Sequence, residues 1–328
     1  MALALIHRSG ATPPRRPPAR FTWRVQESKI TRVLASDTAP RTFAELCEEV
    51  HPRTITRGLH SGELTRLVPD QYCLSLHADS WIMRSRAAVE WAGPHAALTG
   101  LAALAVCGYS PEPIDLIQVA VPKWRHRSGP PWIRVRSLTM PFPLTIWTPR
   151  TASTKPDLAL VLGYGQVPQR RRASFVHGAV RAGLVSPTTM DDLARTLTRI
   201  PAKRDLLERL RLIKAGAESY LEERGMTTVF TGSEFEAMVY QHRVRVRGES
   251  FRVDAFHMPT LTAFELDGDG THDGTEYRTR DLRRDALLST AGIATVRFSR
   301  RSVFENPQWC REVALETIEA RARSQWAA

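Results

Sequence analysis

The sequence predicts an α/β (α+β) multidomain protein, and three observations predict it. A set of short helix-like segments followed by a hairpin pattern occupies residues 28–75. A middle stretch alternates apolar, strand-like runs with alanine-rich helical ones. The last third reads helix, paired strands, helix, strand, with acidic residues set inside apolar strands. A chain of 328 residues exceeds one ordinary core, so two or three domains are expected. Composition shifts divide it into a tail over 1–24, a small module over 25–80, a middle domain over 81–215 and a C-terminal domain over 216–328.

Charge follows the same division. The net +12 is distributed as +3 over residues 1–80, +12 over 81–215 and −3 over 216–328. A basic middle suits a polyanionic partner, because phosphate neutralisation dominates nucleic-acid affinity. The chain holds only five lysines, so genome-biased arginine usage is an equally open source of that charge. The four cysteines form no CxxC pair, which argues against structural zinc. No apolar run approaches the eighteen or so residues of a membrane span.

Taken in order, the first twenty residues hold Arg8, Arg15, Arg16 and Arg20 among four prolines. The apolar start MALALIH is too short for a signal-peptide core and lacks a basic start. Residues 1–24 are therefore expected to be a disordered basic tail, and the protein to be cytoplasmic. After Ser28, residues Ile30, Val33 and Leu34 share one helical face. Thr42 and Glu45 form a capping box for a second helix. Pro52 suits the first turn of a third. Ser61-Gly62 ends it, and Glu63 to Leu74 reads as two short strands about Pro69-Asp70. Three helices and a hairpin are the winged-helix plan, whose third helix lies in the DNA major groove. Arg53, Thr54 and Arg57 are the candidates for phosphate and base contact. Winged helices also bind protein, so both uses stay open.

Residues 81–110 read as a long helical stretch, broken at Gly93-Pro94 and ended by Gly108. Strand-like runs follow at 114–121, 132–136 and 144–147, then helices at 153–162 and 169–198. Two basic segments are open both to phosphate contact and to simple solvation: the run beginning Lys123-Trp124-Arg125, and Gln169 to Phe175 with its three arginines.

The C-terminal third carries the sharpest pattern. Glu218 and Glu222, four residues apart, are expected on one helical face. Asp254 ends an apolar strand, Glu265 lies inside the next, and Asp267 follows on the same face by period-2 alternation. If the two strands pair as a hairpin, all three acids converge. Such crowding is costly unless something positive lies between them. Oxygen-only ligands suit Mg²⁺ or Mn²⁺, which would polarise a phosphate and acidify an attacking water. Asp254, Glu265 and Asp267 are the candidate metal ligands, with Glu222 or Glu218 completing the shell or taking a proton. The bland alternatives are a plain Asp-Gly turn at 267–270, a loop histidine at His272, and solvated helical glutamates. Arg280, Arg283 and Arg284 either pair with nearby Asp281 and Asp285 or contact DNA.

Two resemblances follow from these residues. Residues 28–215, with the Val119-Ala-Val-Pro turn, resemble the AbiEi-type antitoxins, which implies a DNA-binding regulator with a cognate toxin. Residues 216–310 resemble the Vsr-like branch of the PD-(D/E)xK nucleases through Asp254, Glu265-Leu-Asp267-Gly268, His272 and Arg284-Asp285. That likeness implies a restriction-endonuclease-like mixed sheet flanked by helices. It also implies Asp254 as metal-binding aspartate, Glu265 as second acid, His272 for proton transfer or phosphate contact, and Glu222 as helical glutamate. Arg283 and Arg284 become DNA contacts. Asp267 stands where the superfamily has a lysine, and no lysine follows Lys214. The expected function is a Mg²⁺-dependent DNA endonuclease; the alternatives are a non-catalytic AbiEi-like regulator and an RNA nuclease.

Overall fold

The computed structural model describes residues 28–37, 39–109, 112–125, 128–139, 141–148, 151–268 and 275–326. The tail expected over 1–24 and His272 therefore lie outside the described residues. Three groups of elements, each with its own core, give a mixed α/β architecture.

The first group holds α1 (Lys29–Leu34), α2 (Phe43–Glu49), α3 (Pro52–Ser61) and a hairpin of β1 (Leu64–Val68) and β2 (Gln71–Leu74). Thr42 and Glu45 form the expected capping box, and Pro52 opens α3. Gly62, at φ 77°, closes α3 in the left-handed conformation that glycine adopts without penalty. Ile30, Leu34, Leu46, Ile55, Leu64 and Leu74 make the core. The hairpin turn is tied back onto α2, since Asp70 Oδ1 accepts from Phe43 N at 2.9 Å.

The second group is a five-stranded sheet with helices. Its elements are α4 (Trp81–Ala92), β3 (Ala97–Thr99), α5 (Gly100–Val106), β4 (Ile117–Pro122), β5 (Ile133–Leu138), β6 (Leu144–Thr148), β7 (Thr151–Thr154), α6 (Pro156–Gly163), α7 (Arg172–Arg181), α8 (Pro187–Thr196) and α9 (Lys203–Lys214). Strand order is β5-β4-β3-β7-β6. The helical stretch expected over 81–110 is thus interrupted by the central strand of the sheet. Ala97, Leu98 and Thr99 are all buried, so the strand has no apolar–polar alternation to read. The helix expected over 169–198 is two helices.

The third group holds α10 (Tyr220–Thr228), β8 (Met238–Val246), β9 (Glu249–His257), β10 (Thr262–Asp267), α11 (Thr275–Thr290), β11 (Ala294–Ser299), α12 (Arg300–Glu305) and α13 (Pro307–Trp326). The mixed sheet has the order β11-β10-β9-β8, with β10 and β11 parallel and the other pairs antiparallel. The strand-like run from Val244 is in fact the end of one strand and the whole of the next. They join through Arg247 and Gly248, both at positive φ, as a tight hairpin requires. Leu288 of α11 packs on Val253, Phe256 and Ala263 on one face. On the other, Leu221, Phe264, Phe298, Val303 and Ala314 join α10, α12 and α13 to the sheet. Helix α10 approaches so closely that a Cβ on Gly225 would stand 2.6 Å from Leu266 Cδ1.

A buried polar cluster joins the second and third groups. Glu223 of α10 takes His177 of α7 at 2.8 Å and Arg209 of α9, while Arg209 also donates to Tyr164 Oη at 3.1 Å. His177 and Glu223 are each only 4% exposed. Among the described residues no helix is long and apolar enough to cross a membrane.

Candidate functional site

The β9–β10 ladder runs from His257–Thr262 to Ala255–Phe264. The next residues on each strand are Asp254 and Glu265, close enough that the Asp254 charge acts on the Glu265 carboxyl. Beyond that point side chains take over the backbone bonding. Asp254 Oδ2 accepts from Leu266 N at 2.9 Å, and Arg284 of α11 donates to the Arg252 carbonyl at 2.8 Å. Arg284 also contacts Glu265 Oε1 through the same nitrogen. Glu265 is 5% exposed and Asp254 half-buried.

This crowding shows in the acidities. Burial first, then repulsion from Asp254, push the Glu265 carboxyl up to about 8, against the pull of Arg284 and Arg297. Burial also raises Asp254, with Asp267 adding repulsion, while the Leu266 N–H and Arg284 oppose the rise. Asp267 is exposed at the strand end, and Arg297 pairs with it at 3.2 Å. Arg297 also binds Asp285 at 3.0 Å. Of the two uses left open for the α11 arginines, local pairing with Asp281 and Asp285 is not what Arg283 and Arg284 make. Asp281 and Asp285 face Arg297 of β11, Arg283 meets Glu249 at 2.8 Å, and Arg284 serves the buried acids.

Glu222 and Glu218 do not share a helical face. Helix α10 begins at Tyr220 with Ser219 as its N-cap, so Glu218 precedes it and pairs with Arg252 at 2.9 Å. Glu222 is a capping residue, accepting from Ser219 Oγ at 2.8 Å, Glu218 N at 2.8 Å and Gln241 Nε2 at 2.7 Å. Burial raises its pKa, and Asp254 adds to the rise, so it stands within the field of the acid pair. Gln241, at φ 54° within β8, is a site neighbour that sequence patterns miss, because a left-handed residue inside a strand leaves no periodic trace.

Among the described residues no three His, Cys, Asp or Glu side chains are placed so as to hold a metal ion. Asp254 and Glu265 lie on the two inner strands and Asp267 at the end of β10, with the Arg284 and Arg297 guanidinium groups among them.

The other expected contacts lie elsewhere. Arg53 and Arg57 are exposed on α3, with Thr54 half-buried beside them, while Thr56 and His60 extend the exposed face. Neither arginine makes an ion pair among the described residues. The basic segments of the middle group are largely committed internally. Arg125 donates to the Ala92 carbonyl at 2.7 Å, Arg171 pairs with Glu112, and Arg172 lies over the Tyr164 ring. Trp124, 67% exposed, remains outward. Compared with known proteins, the chain matches no protein-family model and no curated protein.

Proposed function

We propose that the C-terminal unit is a divalent-cation-dependent phosphodiesterase acting on DNA, with the N-terminal helices and hairpin binding the duplex. The observation that carries the reading is the neighbouring pair Asp254 and Glu265, two carboxyls at the end of the β9–β10 ladder that both resist ionisation. Crowded oxygen donors of this kind fit Mg²⁺ or Mn²⁺ in donor chemistry. Asp254 and Glu265 would hold the ion, with Asp267 beside them. The ion would supply Lewis-acid polarisation of the phosphate and acidification of water. Glu265, titrating near neutrality, suits proton transfer. Arg284, with one nitrogen already on Glu265 and a buried Nε that has no partner among the described residues, would turn toward a phosphate oxygen. The exposed α3 arginines would track the DNA backbone. The reading implies a cytoplasmic protein.

A second reading has its own observation. Arg284 and Arg297 already pair with Glu265 and Asp267, and Asp267 occupies the usual lysine position. An AbiEi-like regulator with a silent site, answering to a cognate toxin, would look the same.

Plasmid nicking with Mg²⁺ or Mn²⁺, comparing wild type with Glu265→Ala, separates the two. Cleavage by wild type that the variant loses by about a hundredfold or more supports the hydrolase, a loss typical of removing a catalytic group. Mn²⁺ should also stabilise wild type but not Asp254→Ala, by about 2.7 kcal/mol at a hundred times its Kd, read as a rise in melting temperature. Uncut plasmid under all these conditions favours the regulator.

A further inference from the structure

The middle unit contains a cavity of about 620 Å³ between β5, the loop after it, and helices α6 and α8. Its floor is apolar, formed by Phe142, Leu158, Leu162 and Leu193. Its rim is cationic. Lys123, Arg136 and Arg199 line it against a single carboxylate, Asp192, and among the described residues none of the three cations has an acidic partner. Hydroxyls of Ser137, Thr139 and Thr198 stand among them.

Arg136, which lines the cavity, reaches back to Gln118 behind the wall. Arg136 Nε reaches Gln118 Oε1 at 3.4 Å, yet Arg136 Nη2 and Gln118 Nε2 are both buried and unpartnered among the described residues. Gln118 is only 1% exposed. Burial and the nearby Arg134 both work against the charge on Arg136, a penalty that an anion would offset.

We infer that this cavity binds a small phosphate monoester with an apolar or flat body, of about the size of a nucleoside monophosphate. Three cations against one acid favour a dianion over a monocarboxylate. The volume lies in the range of small-molecule sites, and the pairing of an apolar floor with convergent polar groups is their usual character. Neither the carboxylate pair nor α3 takes part, so the inference does not depend on nuclease activity. The same chemistry has two sources, a free nucleotide and the 5′-phosphorylated end of a DNA strand.

Isothermal titration of the full chain in EDTA tests it, with adenosine 5′-monophosphate, adenosine, and a dinucleotide with and without a 5′-phosphate as probes. Adenosine monophosphate or the phosphorylated dinucleotide should bind saturably, and the tighter of them identifies the source. The phosphate-free counterparts should bind about tenfold weaker or worse, as should Arg136→Met with the phosphorylated probes. Arg199→Ala, at an exposed position that folding does not need, should lose about threefold to tenfold. If Arg136→Met fails to fold, Arg199→Ala decides. No saturation by either phosphorylated probe up to about 1 mM, or wild-type affinity in the folded variants, overturns the inference.

Discussion

Glu265 decides how the molecule responds to pH. Its folded pKa is raised from 4.5 to about 8, so the folded protein keeps a proton that the unfolded chain gives up. The resulting stabilisation is complete below pH 4.5 and is lost as pH rises through 8. Thermal melts should therefore show stability falling between about pH 5 and pH 8. Glu265→Gln should flatten most of that fall and exceed wild type at pH 8 by roughly a few kcal/mol. An unchanged slope would assign the titration to other groups; Asp254 and Glu222 shift in the same direction. The nearness of Asp254 and Glu265 was legible in the sequence once the two strands were read as a hairpin, and β9 and β10 do pair antiparallel. The guanidinium groups beside them were not. Arg284 and Arg297 come from a helix and a strand beyond the pair, and only the parallel register that sets Arg297 against Glu265 brings them in.

Among the elements, α3 offers the clearest test of DNA binding. Its outward residues Arg53 and Arg57 make no ion pair among the described residues, while Ile55 and Gly58 are buried beneath them. Replacing both arginines by alanine should weaken duplex binding across sequences and reduce the slope of log affinity against log salt by about two, one per lost phosphate contact. Fluorescence anisotropy at several salt concentrations reads both, and an unaltered slope would remove α3 from the interface. The helices and hairpin of this unit were readable because caps, a proline start and a glycine stop punctuate them. β3 was not readable, since three buried residues among alanines carry no period. Helices α12 and α13 did have signals that sequence reading passed over, namely Ser299 as N-cap and Pro307 at a helix start.

At the scale of the whole molecule, the junction between the middle and C-terminal units rests on Glu223. Its carboxylate lies among His177 and Arg209, with Tyr164 and Asp205 behind them. Removing one partner of a buried ionic cluster leaves the others uncompensated, so Glu223→Ala should cost about 3–5 kcal/mol. Denaturant unfolding should then show the two units separating into distinct transitions; a single transition at the wild-type midpoint would deny Glu223 this role. Charge totals and composition announced several units but not this joint, which depends on three residues far apart in the chain. Glu223 has as its immediate neighbour Glu222, which faces Gln241 and Asp254. Consecutive side chains on a helix diverge by about 100°, so one turn of α10 works like a camshaft with two lobes. The packing of α7 and α9 on the first lobe and the placing of the second beside Asp254 are thus set by the same short piece of backbone.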